Sequence, residues 1–263
     1  MRPIVDVRDW MELRTYISDS WRFIRARRRP LEVPTCEIRF RNGSTMTLRS
    51  AGEDRRIFLH IFGRDEYRLA RYRKRAADTV IDVGAHVGVF AVRAARFAKR
   101  VLSYEPVPAT FRLLVDNVRG LKNVTPIQRA ISDGDQPAEL HVFPEPSSNS
   151  LFPVKPETAI DKFWVETTTL SQVLTEHSLD RCDLIKLDCE GAEYPIIYGA
   201  PVSIWQRIDR VVMEYHLVRG APDSWCGEGL AAHLTAAGHH VELKPKGHHP
   251  GKGFLFSVRA GST

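Results

Sequence analysis

The sequence predicts an α/β fold with a mainly parallel sheet and helices on both of its faces. Three observations support this prediction. From residue 78 onward, apolar segments of strand length alternate with segments of helix length, which is typical of a parallel sheet covered on both sides. A glycine-containing turn separates the first of these strands from the first helix. The last two strand-like segments of the chain predict a terminal hairpin.

The predicted elements of this part follow in chain order. The strands are Thr79–Val83, Val101–Tyr104, Val124–Ile131, Ala138–Phe143, Leu184–Leu187, Val211–Met213, His240–Lys244 and Gly253–Arg259. The helices are Val89–Lys99, Pro108–Arg119, which has a proline near its start, and Gly227–Ala237. The polar loop Pro144–Pro156 has a length that is typical of a loop with a function.

The first 77 residues differ in pattern and predict an N-terminal cap. Val7–Arg28 has apolar residues at three- and four-residue steps, which predicts an amphipathic helix. Glu37–Leu48 alternates like a hairpin and has Asn42-Gly43 as its turn. We therefore divide the chain into a cap, residues 1–77, and a core domain, residues 78–263.

The composition is that of a globular protein with one main domain. The 263 residues are 43% hydrophobic and 27% charged, which is enough for a sizeable core. The apolar segments are too short to span a membrane, and the first ten residues include four charged ones. We therefore expect neither a transmembrane helix nor a signal peptide, and we expect a cytoplasmic protein. The oligomeric state is not indicated by the sequence.

Basic residues give a formal net charge of +6 and are concentrated in two segments, residues 22–29 and 64–75. Segments of this kind can contact phosphate groups, nucleic acid or anionic lipid. They are also typical of the solvated face of a helix. We favour the solvated face and expect no nucleic-acid partner.

A glycine turn follows the first predicted strand, in the segment Asp82–Gly88, and a single carboxylate, Glu105, follows the second. Glycines allow a sharp turn and a close approach to a ligand, and a carboxylate about 20 residues later can accept hydrogen bonds from ribose hydroxyl groups. The negative charge of Asp82 is unfavourable for a pyrophosphate. A cationic nucleoside fits better, so this segment favours S-adenosylmethionine and a methyltransferase.

A charged segment follows the predicted strand Leu184–Leu187. Lys186 and Asp188 are two residues apart and therefore point the same way from a strand that should be apolar. Buried charges are costly unless they are paired, so these residues are either a structural ion pair or part of a functional site. We favour the functional site, since Glu190 and Glu193 extend the acidic cluster into the next loop.

The strand Val211–Met213 similarly ends in Glu214 and His216, which lie on one face. A histidine has an ordinary pKa of about 6.5 and could take a proton from an attacking hydroxyl group, although His216 could equally be a structural loop residue. An alternative is a metal site for Mg²⁺ or Mn²⁺. Its ligands would be Asp188, Glu190, Glu214 and His216.

Six segments, in this order and spacing, closely resemble the FkbM-like family of S-adenosylmethionine-dependent methyltransferases. They are Val80–Phe90, Tyr104–Pro106, Ala130–Asp133, Thr168–Leu170, Ile185–Glu193 and Glu214–His216. The resemblance covers roughly residues 78–216. It implies a Rossmann-like class I methyltransferase fold, in which a seven-stranded sheet ends in an antiparallel hairpin. It also implies methyl transfer to hydroxyl oxygens of sugars or secondary metabolites.

The resemblance implies a role for each matching residue. The methionine portion of the cofactor would be held by Asp82, Gly84, Ala85, His86 and Gly88, the ribose by Glu105, and the adenine by Ala130, Ile131 and Asp133. Asp188 and Glu190 would face the transferred methyl group, and Glu66-Tyr67 of the cap would close over the cofactor. His86 departs from the family, which usually has asparagine there, but either side chain can form a local hydrogen bond.

Our hypothesis for catalysis makes Asp188 or His216 the general base. Glu190 positions the acceptor, and Lys186 keeps Asp188 ionised by pairing with it. A nicotinamide-dependent oxidoreductase is an alternative, although the G-x-G-x-x-G pattern is absent, and a non-catalytic S-adenosylmethionine-binding module is another. The acceptor, a small molecule or a glycan, would contact the loop Pro144–Pro156 and the segment Arg219–Cys226.

Overall fold

The computed structural model describes residues 7–20, 23, 34–50, 53–74, 76–152, 156–218, 220–246 and 251–262. In chain order its strands are β1 (Thr35–Arg39), β2 (Thr45–Arg49), β3 (Ala77–Val83), β4 (Ala98–Tyr104), β5 (Val124–Ile127), β6 (Ala130–Ser132), β7 (Ala138–Val142), β8 (Asp161–Val165), β9 (Thr167–Thr169), β10 (Leu184–Leu187), β11 (Arg210–Tyr215), β12 (His239–Pro245) and β13 (Gly253–Arg259). Its α-helices are α1 (Val7–Leu13), α2 (Asp54–Phe58), α3 (Val89–Ala94), α4 (Pro108–Val118), α5 (Leu170–Glu176), α6 (Glu193–Gly199), α7 (Val202–Trp205) and α8 (Gly227–Ala236). A π-helical turn, Leu59–Gly63, continues α2, and 3-10 helices span Leu69–Lys74, Pro146–Ser148 and Pro156–Thr158.

Seven strands form the central sheet, in the order β12-β13-β11-β10-β3-β4-β5. The five strands from β11 to β5 are parallel, and β13 is antiparallel to both β11 and β12. The predicted Rossmann-like fold with its terminal hairpin is therefore confirmed. In this topology the carboxyl ends of the parallel strands meet at one edge, which is where open α/β sheets bind ligands.

Apolar side chains cover both faces of the sheet, as expected for parallel strands that are buried on two sides. One cluster joins the sheet to α5, α6, α7 and α8, and it includes Ile81 and Trp205. The other joins the opposite face to α3, α4 and the cap, and it includes Val80, Phe90 and Phe62. Cap and sheet thus contribute to one apolar cluster. The division of the chain at residues 77 and 78 stays a prediction.

Two predicted elements have different limits in the structure. The strand predicted at Val124–Ile131 is divided into β5 and β6, because β6 leaves the central sheet and pairs with β9. The helix predicted at Val89–Lys99 ends as α3 at Ala94, and β4 already begins at Ala98. The strand predicted at Ala138–Phe143 is confirmed as β7, which pairs with β8 outside the central sheet.

The cap contains the predicted hairpin, since β1 and β2 pair antiparallel on either side of the turn that holds Asn42 and Gly43. Of the single helix predicted at Val7–Arg28, the segment Val7–Leu13 is confirmed as α1, but a continuous helix is wrong, because turns and a bridge occupy residues 14–19. Ile17 instead forms an isolated bridge with Phe40, next to the hairpin. After Ile17 the N–H of Ser18 donates to the carbonyl oxygen of Arg39, and the carbonyl oxygen of Tyr16 accepts the N–H of Arg41, so hydrogen bonds to the hairpin replace those of a helix.

The two basic segments differ in what the structure describes. Apart from Phe23, residues 22–29 lie outside the described residues. In the second segment, Arg64 pairs with Asp9 at 3.1 Å and Arg68 with Glu242 at 2.6 Å. Within the described part of the chain, no helix combines the length and the apolar character that crossing a membrane requires.

Candidate active site

A cleft of about 1220 Å³, measured out to its open mouth, lies at the carboxyl ends of β3, β4, β10 and β11. From the sheet edge it is lined by Gly84, Ala85, His86, Glu105, Lys186, Asp188, Cys189, Glu190 and Glu214. The cap contributes Glu53, Arg56, His60, Glu66 and Tyr67, and the loop after β7 contributes Ser147, Asn149 and Leu151. The glycine turn, the single carboxylate and the acidic segment of the sequence therefore meet in one cleft.

The turn after β3 approaches the loop after β10 so closely that only glycine fits at position 84. Gly84 has a φ of +73°, and a Cβ atom added there would lie 2.0 Å from the carbonyl oxygen of Asp188. The N–H groups of Gly84 and Ala85 donate to the carbonyl oxygen of Tyr104, at 3.1 and 2.9 Å. Gly88, at the start of α3, has a φ of +89°. The turn is thus held against both β4 and β10.

Lys186 is buried in β10 and fastens the turn through its ammonium group. It donates to the carbonyl oxygens of Val83 and Gly84, at 3.1 and 2.7 Å. Its Nζ lies 3.2 Å from Oδ1 of Asp82 and 3.8 Å from Oδ2 of Asp188. Burial raises the pKa of Asp82, and Lys186 opposes that shift. Because Asp82 is fully buried and does not line the cleft, its contact with a ligand stays a prediction.

Glu105 lies just after β4 with its carboxyl group buried in the wall of the cleft. Oε2 accepts the N–H of His86 at 2.9 Å, and Oε1 accepts the N–H of Val107 at 3.0 Å. Burial raises the pKa of Glu105 to about 7, although both N–H groups favour the ionised form. A carboxylate oxygen can accept more than one hydrogen bond, so Glu105 can still accept hydroxyl groups of a ribose.

His86 connects the turn to the cap. Its Nε2 accepts a hydrogen bond from the guanidinium group of Arg49. Arg49 also donates to both carboxylate oxygens of Asp54, at 3.0 Å from Nε and 2.9 Å from Nη2. Burial lowers the pKa of His86 to about 4, so the ring is neutral and its proton is on Nδ1. His86, at the position where the resembling family usually has asparagine, therefore links the turn to β2 and α2.

Asp188 follows β10 and accepts a hydrogen bond from the cap. The hydroxyl group of Tyr67 donates to Oδ2 of Asp188 at 2.7 Å. Burial favours the neutral form of Asp188, but Lys186, His216 and the Tyr67 hydroxyl group together lower its pKa. Asp188 is therefore ionised at neutral pH.

His216 is buried beside the acidic cluster and carries a positive charge. Its Nδ1 donates to Oε1 of Glu193 at 3.1 Å, and its Nε2 lies 3.4 Å from Oε1 of Glu190. Burial opposes the charged form, but Glu190 and Glu193 raise the pKa of His216 to about 10. A protonated imidazole has no lone pair to accept a proton, so this arrangement does not suit the predicted role of His216 as a base.

Glu193, the first residue of α6, organises the loop between β10 and α6. Its carboxylate is fully buried and accepts the N–H groups of Cys189 and Gly191, each at 2.8 Å. The same carboxylate orients His216. Glu193 therefore positions the loop that carries Asp188 and Glu190.

Glu190 lines the cleft and has an unusual backbone conformation. Its φ of +52° lies in the left-handed region, and the hydroxyl group of Ser150 donates to its carbonyl oxygen. Burial raises the pKa of Glu190 to about 7, and His216 opposes the shift. A carboxylate with such a pKa can exchange a proton near neutral pH.

Asp188, Glu214 and His216 could also hold a metal ion. Each offers one ligand atom, and these three atoms lie within 4.8 Å of one another. Oε1 of Glu214 also accepts a hydrogen bond from Lys246, at 2.6 Å. Two carboxylates and a neutral imidazole can bind a divalent cation, so a metal at this site would have to displace a proton from His216. The metal site stays an alternative.

The other predicted cofactor residues lie in different places. Ala130, Ile131 and Glu66 line the cleft, and Oε2 of Glu66 is 3.1 Å from Nδ1 of His60. Asp133 is exposed and does not line the cleft. Gly88 and His216 do not line it either, nor do the described residues of the segment 219–226. The roles assigned to these residues stay predictions.

Sequence reasoning missed the residues that join the cap and the terminal hairpin to the site. Arg49 and Asp54 reach His86, and Lys246 reaches Glu214, each across a long sequence separation. A sequence pattern does not reveal such pairs. Glu193 was part of the predicted acidic cluster, but its hydrogen bonds to the backbone of the loop were not predicted.

Known methyltransferases resemble this chain over the part that forms the sheet edge. The family model of the methyltransferase FkbM domain matches residues 82–241. The chain is 28% identical over 217 residues to the 31-O-demethyl-FK506 methyltransferase FkbM of Streptomyces tacrolimicus, which covers 70% of this chain and 83% of that protein. It is 29% identical over 168 residues to methyltransferase sdnD of Sordaria araneosa. This match covers 51% of the chain and only 65% of the sdnD protein, which is less than two thirds of its length.

Among solved structures, the methyltransferase FkbM of Methylobacillus flagellatus KT is similar over 69% of this chain and 44% of that chain, with 13% identity and a TM-score of 0.47. The match to the family model extends from Asp82, at the end of β3, to Val241 in β12 and so includes the whole sheet edge described above. It covers more than half of the 263 residues. The chain therefore belongs to the FkbM methyltransferase family.

Proposed function

We propose that the protein is an S-adenosylmethionine-dependent O-methyltransferase whose acceptor is a hydroxyl group of a sugar or a secondary metabolite. The observation that carries the proposal is that Glu105 and the carboxylates Asp188 and Glu190 line one cleft. Glu105 could thus bind the nucleoside of the methyl donor, while Asp188 or Glu190 accepts a proton from an acceptor bound in the same cleft. The family membership supports the methyl transfer, and the name of the Streptomyces relative specifies an O-demethyl substrate for that protein.

The residues present fit the methyl donor. Gly84, Ala85 and His86 line the cleft, and Glu105 has lone pairs left for ribose hydroxyl groups. Ala130 and Ile131 supply an apolar wall suited to the adenine. When bound, S-adenosylmethionine supplies an electrophilic methyl group on a sulfonium ion.

The contribution of the protein is to orient the acceptor and to accept its proton. Holding two reactants in line can lower a barrier by up to ~7–11 kcal/mol. A neutral hydroxyl group must also lose its proton. Of the two carboxylates that follow β10, Glu190, with a pKa of about 7, is better matched to that task at neutral pH than Asp188. Asp188 is ionised but is a weaker base, because its pKa is lowered. We therefore favour Glu190 as the base, with Asp188 as the alternative and His216 as the cation that holds both carboxylates in place.

Metal assistance is a second candidate, favoured by the proximity of Asp188, Glu214 and His216. A bound Mn²⁺ or Mg²⁺ would hold the acceptor oxygen and lower the pKa of its hydroxyl group. Turnover that is unchanged after exhaustive chelation would exclude this variant. Turnover that is lost on chelation and restored by Mn²⁺ would support it.

The test of the proposed function is incubation of the protein with methyl-labelled S-adenosylmethionine and a panel of glycosides and metabolite extracts, followed by identification of the labelled product. We expect a labelled methyl ether. Glu190→Gln serves as the matched control, because it keeps the shape of the side chain and removes the base. Binding of S-adenosylhomocysteine without transfer to any acceptor favours a non-catalytic binding module, and binding of NAD instead favours an oxidoreductase.

A further inference from the structure

A second cleft, of about 670 Å³, lies on the cap-facing side of the sheet beside the 3-10 helix Leu69–Lys74. Arg210 of β11, Val258 of β13 and His240 of β12 are paired across three adjacent strands, so they share one face and line this cleft. Arg68 and Arg71 line it from the other side. The cleft is therefore basic on both of its walls.

Two of its three arginines form no ion pair with the described residues, and the nearest carboxylate that acts on Arg71, Asp65, is itself paired with Arg93. Arg68 donates to both carboxylate oxygens of Glu242, at 2.6 Å each, and its charge is balanced there. By contrast, no ion pair or side-chain hydrogen bond joins Arg71 or Arg210 to any residue that the structure describes. Burial and the nearby charge of Arg210 lower the pKa of Arg71, and Asp65 only partly opposes this shift.

We propose that this cleft binds a phosphate group, either free or as the ester of a small molecule, through Arg71 and Arg210. Two unpaired guanidinium groups require about two negative charges, and a phosphate monoester carries about −1.5 to −2 near pH 7. A single carboxylate would balance only one of them. The planar fork of a guanidinium group also matches the geometry of phosphate oxygens, and His240 offers a further donor at the same edge.

A nucleic acid fits the cleft less well than a small phosphate ester. Binding of single-stranded nucleic acid usually requires aromatic rings on which bases stack. The ring of Tyr72 is already stacked on Phe97, with centroids 4.7 Å apart. The ring of Phe256 is covered by the guanidinium group of Arg68, 3.7 Å from its centroid. Tyr72 and Phe256 thus each have one face occupied by the protein itself, and the third aromatic residue of the cleft, Tyr67, is buried edge-on against Phe90 and Phe254.

Calorimetric titration of the full chain with orthophosphate, with glucose 6-phosphate and with a single-stranded oligonucleotide tests the proposal. We expect saturable binding of one or both small phosphates by the unmodified protein, and their relative affinities distinguish free phosphate from an ester. Arg71→Ala and Arg210→Ala should each weaken this binding roughly tenfold or more, because each removes hydrogen bonds to a charged group. Arg39→Ala, which removes an exposed arginine of β1, should change it by less than about twofold.

A variant that keeps the charge controls for misfolding. Arg210→Lys retains a cation but loses the fork, so it should bind phosphate more weakly than the unmodified protein and more tightly than Arg210→Ala. Titration with S-adenosylhomocysteine reports on the active-site cleft and should be the same in all these variants. The proposal is overturned if neither small phosphate binds at millimolar concentration, or if the arginine variants bind them as tightly as the unmodified protein. It is also overturned if only the oligonucleotide binds through Arg71 and Arg210.

Discussion

The hydroxyl group of Tyr67 lies 2.7 Å from Oδ2 of Asp188 and donates the hydrogen bond that joins the cap to the acidic cluster. The ring of Tyr67 is buried edge-on against Phe90 and Phe254, at centroid distances of 5.6 and 5.9 Å. This packing fixes the position of the Tyr67 hydroxyl group. The cap therefore orients the carboxylate of Asp188 after β10. Burial also keeps the pKa of Tyr67 well above its ordinary value, so the group remains a donor.

Tyr67→Phe should lower kcat by roughly tenfold or more, because a hydrogen bond to a charged group contributes ~1.5–3 kcal/mol. Steady-state kinetics at saturating S-adenosylmethionine measure the effect. Tyr72→Phe is the matched control, since its hydroxyl group has no hydrogen-bond partner among the described residues. Equal kcat values for the two variants would show that the hydrogen bond to Asp188 does not contribute to catalysis.

Gly84→Ala should abolish binding of S-adenosylhomocysteine and destabilise the protein. The added methyl group would lie 2.0 Å from the carbonyl oxygen of Asp188, so the turn and the loop after β10 must separate. Gly43→Ala is the control, because Gly43 also has a positive φ but has no atom within 4 Å of its Cβ position. That variant should lose only about 1–2 kcal/mol of stability and keep its affinity. Calorimetry measures the affinity and thermal unfolding measures the stability. Equal values for the two variants would contradict the steric role of Gly84.

Glu190→Gln should lower kcat by roughly 10²–10⁴-fold with little change in the affinity for S-adenosylhomocysteine. In the unmodified protein, kcat should rise with pH up to about 7 and then level off, because Glu190 accepts a proton only when it is ionised. Asp188→Asn is measured alongside as the alternative base. If Glu190→Gln keeps both the turnover and the pH profile of the unmodified protein, the base is another residue.

The affinity for S-adenosylhomocysteine should depend on the ionisation of Glu105. The pKa of Glu105 is about 7 in the free protein, and the ribose hydroxyl groups donate to its ionised form. Affinity should therefore be full above pH 7 and fall as the pH is lowered through 7, by up to about tenfold per pH unit. Titrations between pH 5.5 and 8.5 measure this, and Glu105→Gln should give a flat profile. A flat profile in the unmodified protein would argue against a ribose contact at Glu105.

Much of the central sheet could be predicted from the sequence because its strands are short apolar segments separated by turns. Lys186 and Asp188 were identifiable for the same reason, since charged residues stand out in or next to a buried strand. The limits of other elements were less predictable. The segment Val124–Ile131 has the pattern of one strand, and only the pairing of Ala130–Ser132 with β9 divides it into two.

The electrostatics of the site could not be predicted, because they depend on contacts between distant parts of the chain. The sequence left His216 open as a base or a structural residue, and its contacts with Glu190 and Glu193, which favour the charged form, were not predicted. Asp82 was expected to hold the cofactor, and its burial against Lys186 was not predicted. In both cases the residue type and the position were identifiable, but the partner that sets its charge was not.

Calorimetric titration with S-adenosylhomocysteine, performed on the unmodified protein and on Glu105→Ala, tests the central claim most directly. The account predicts saturable binding by the unmodified protein, weakened about tenfold or more by Glu105→Ala because the hydrogen bonds to a charged carboxylate are lost. No heat of binding with the unmodified protein, or the same affinity in both proteins, would contradict it.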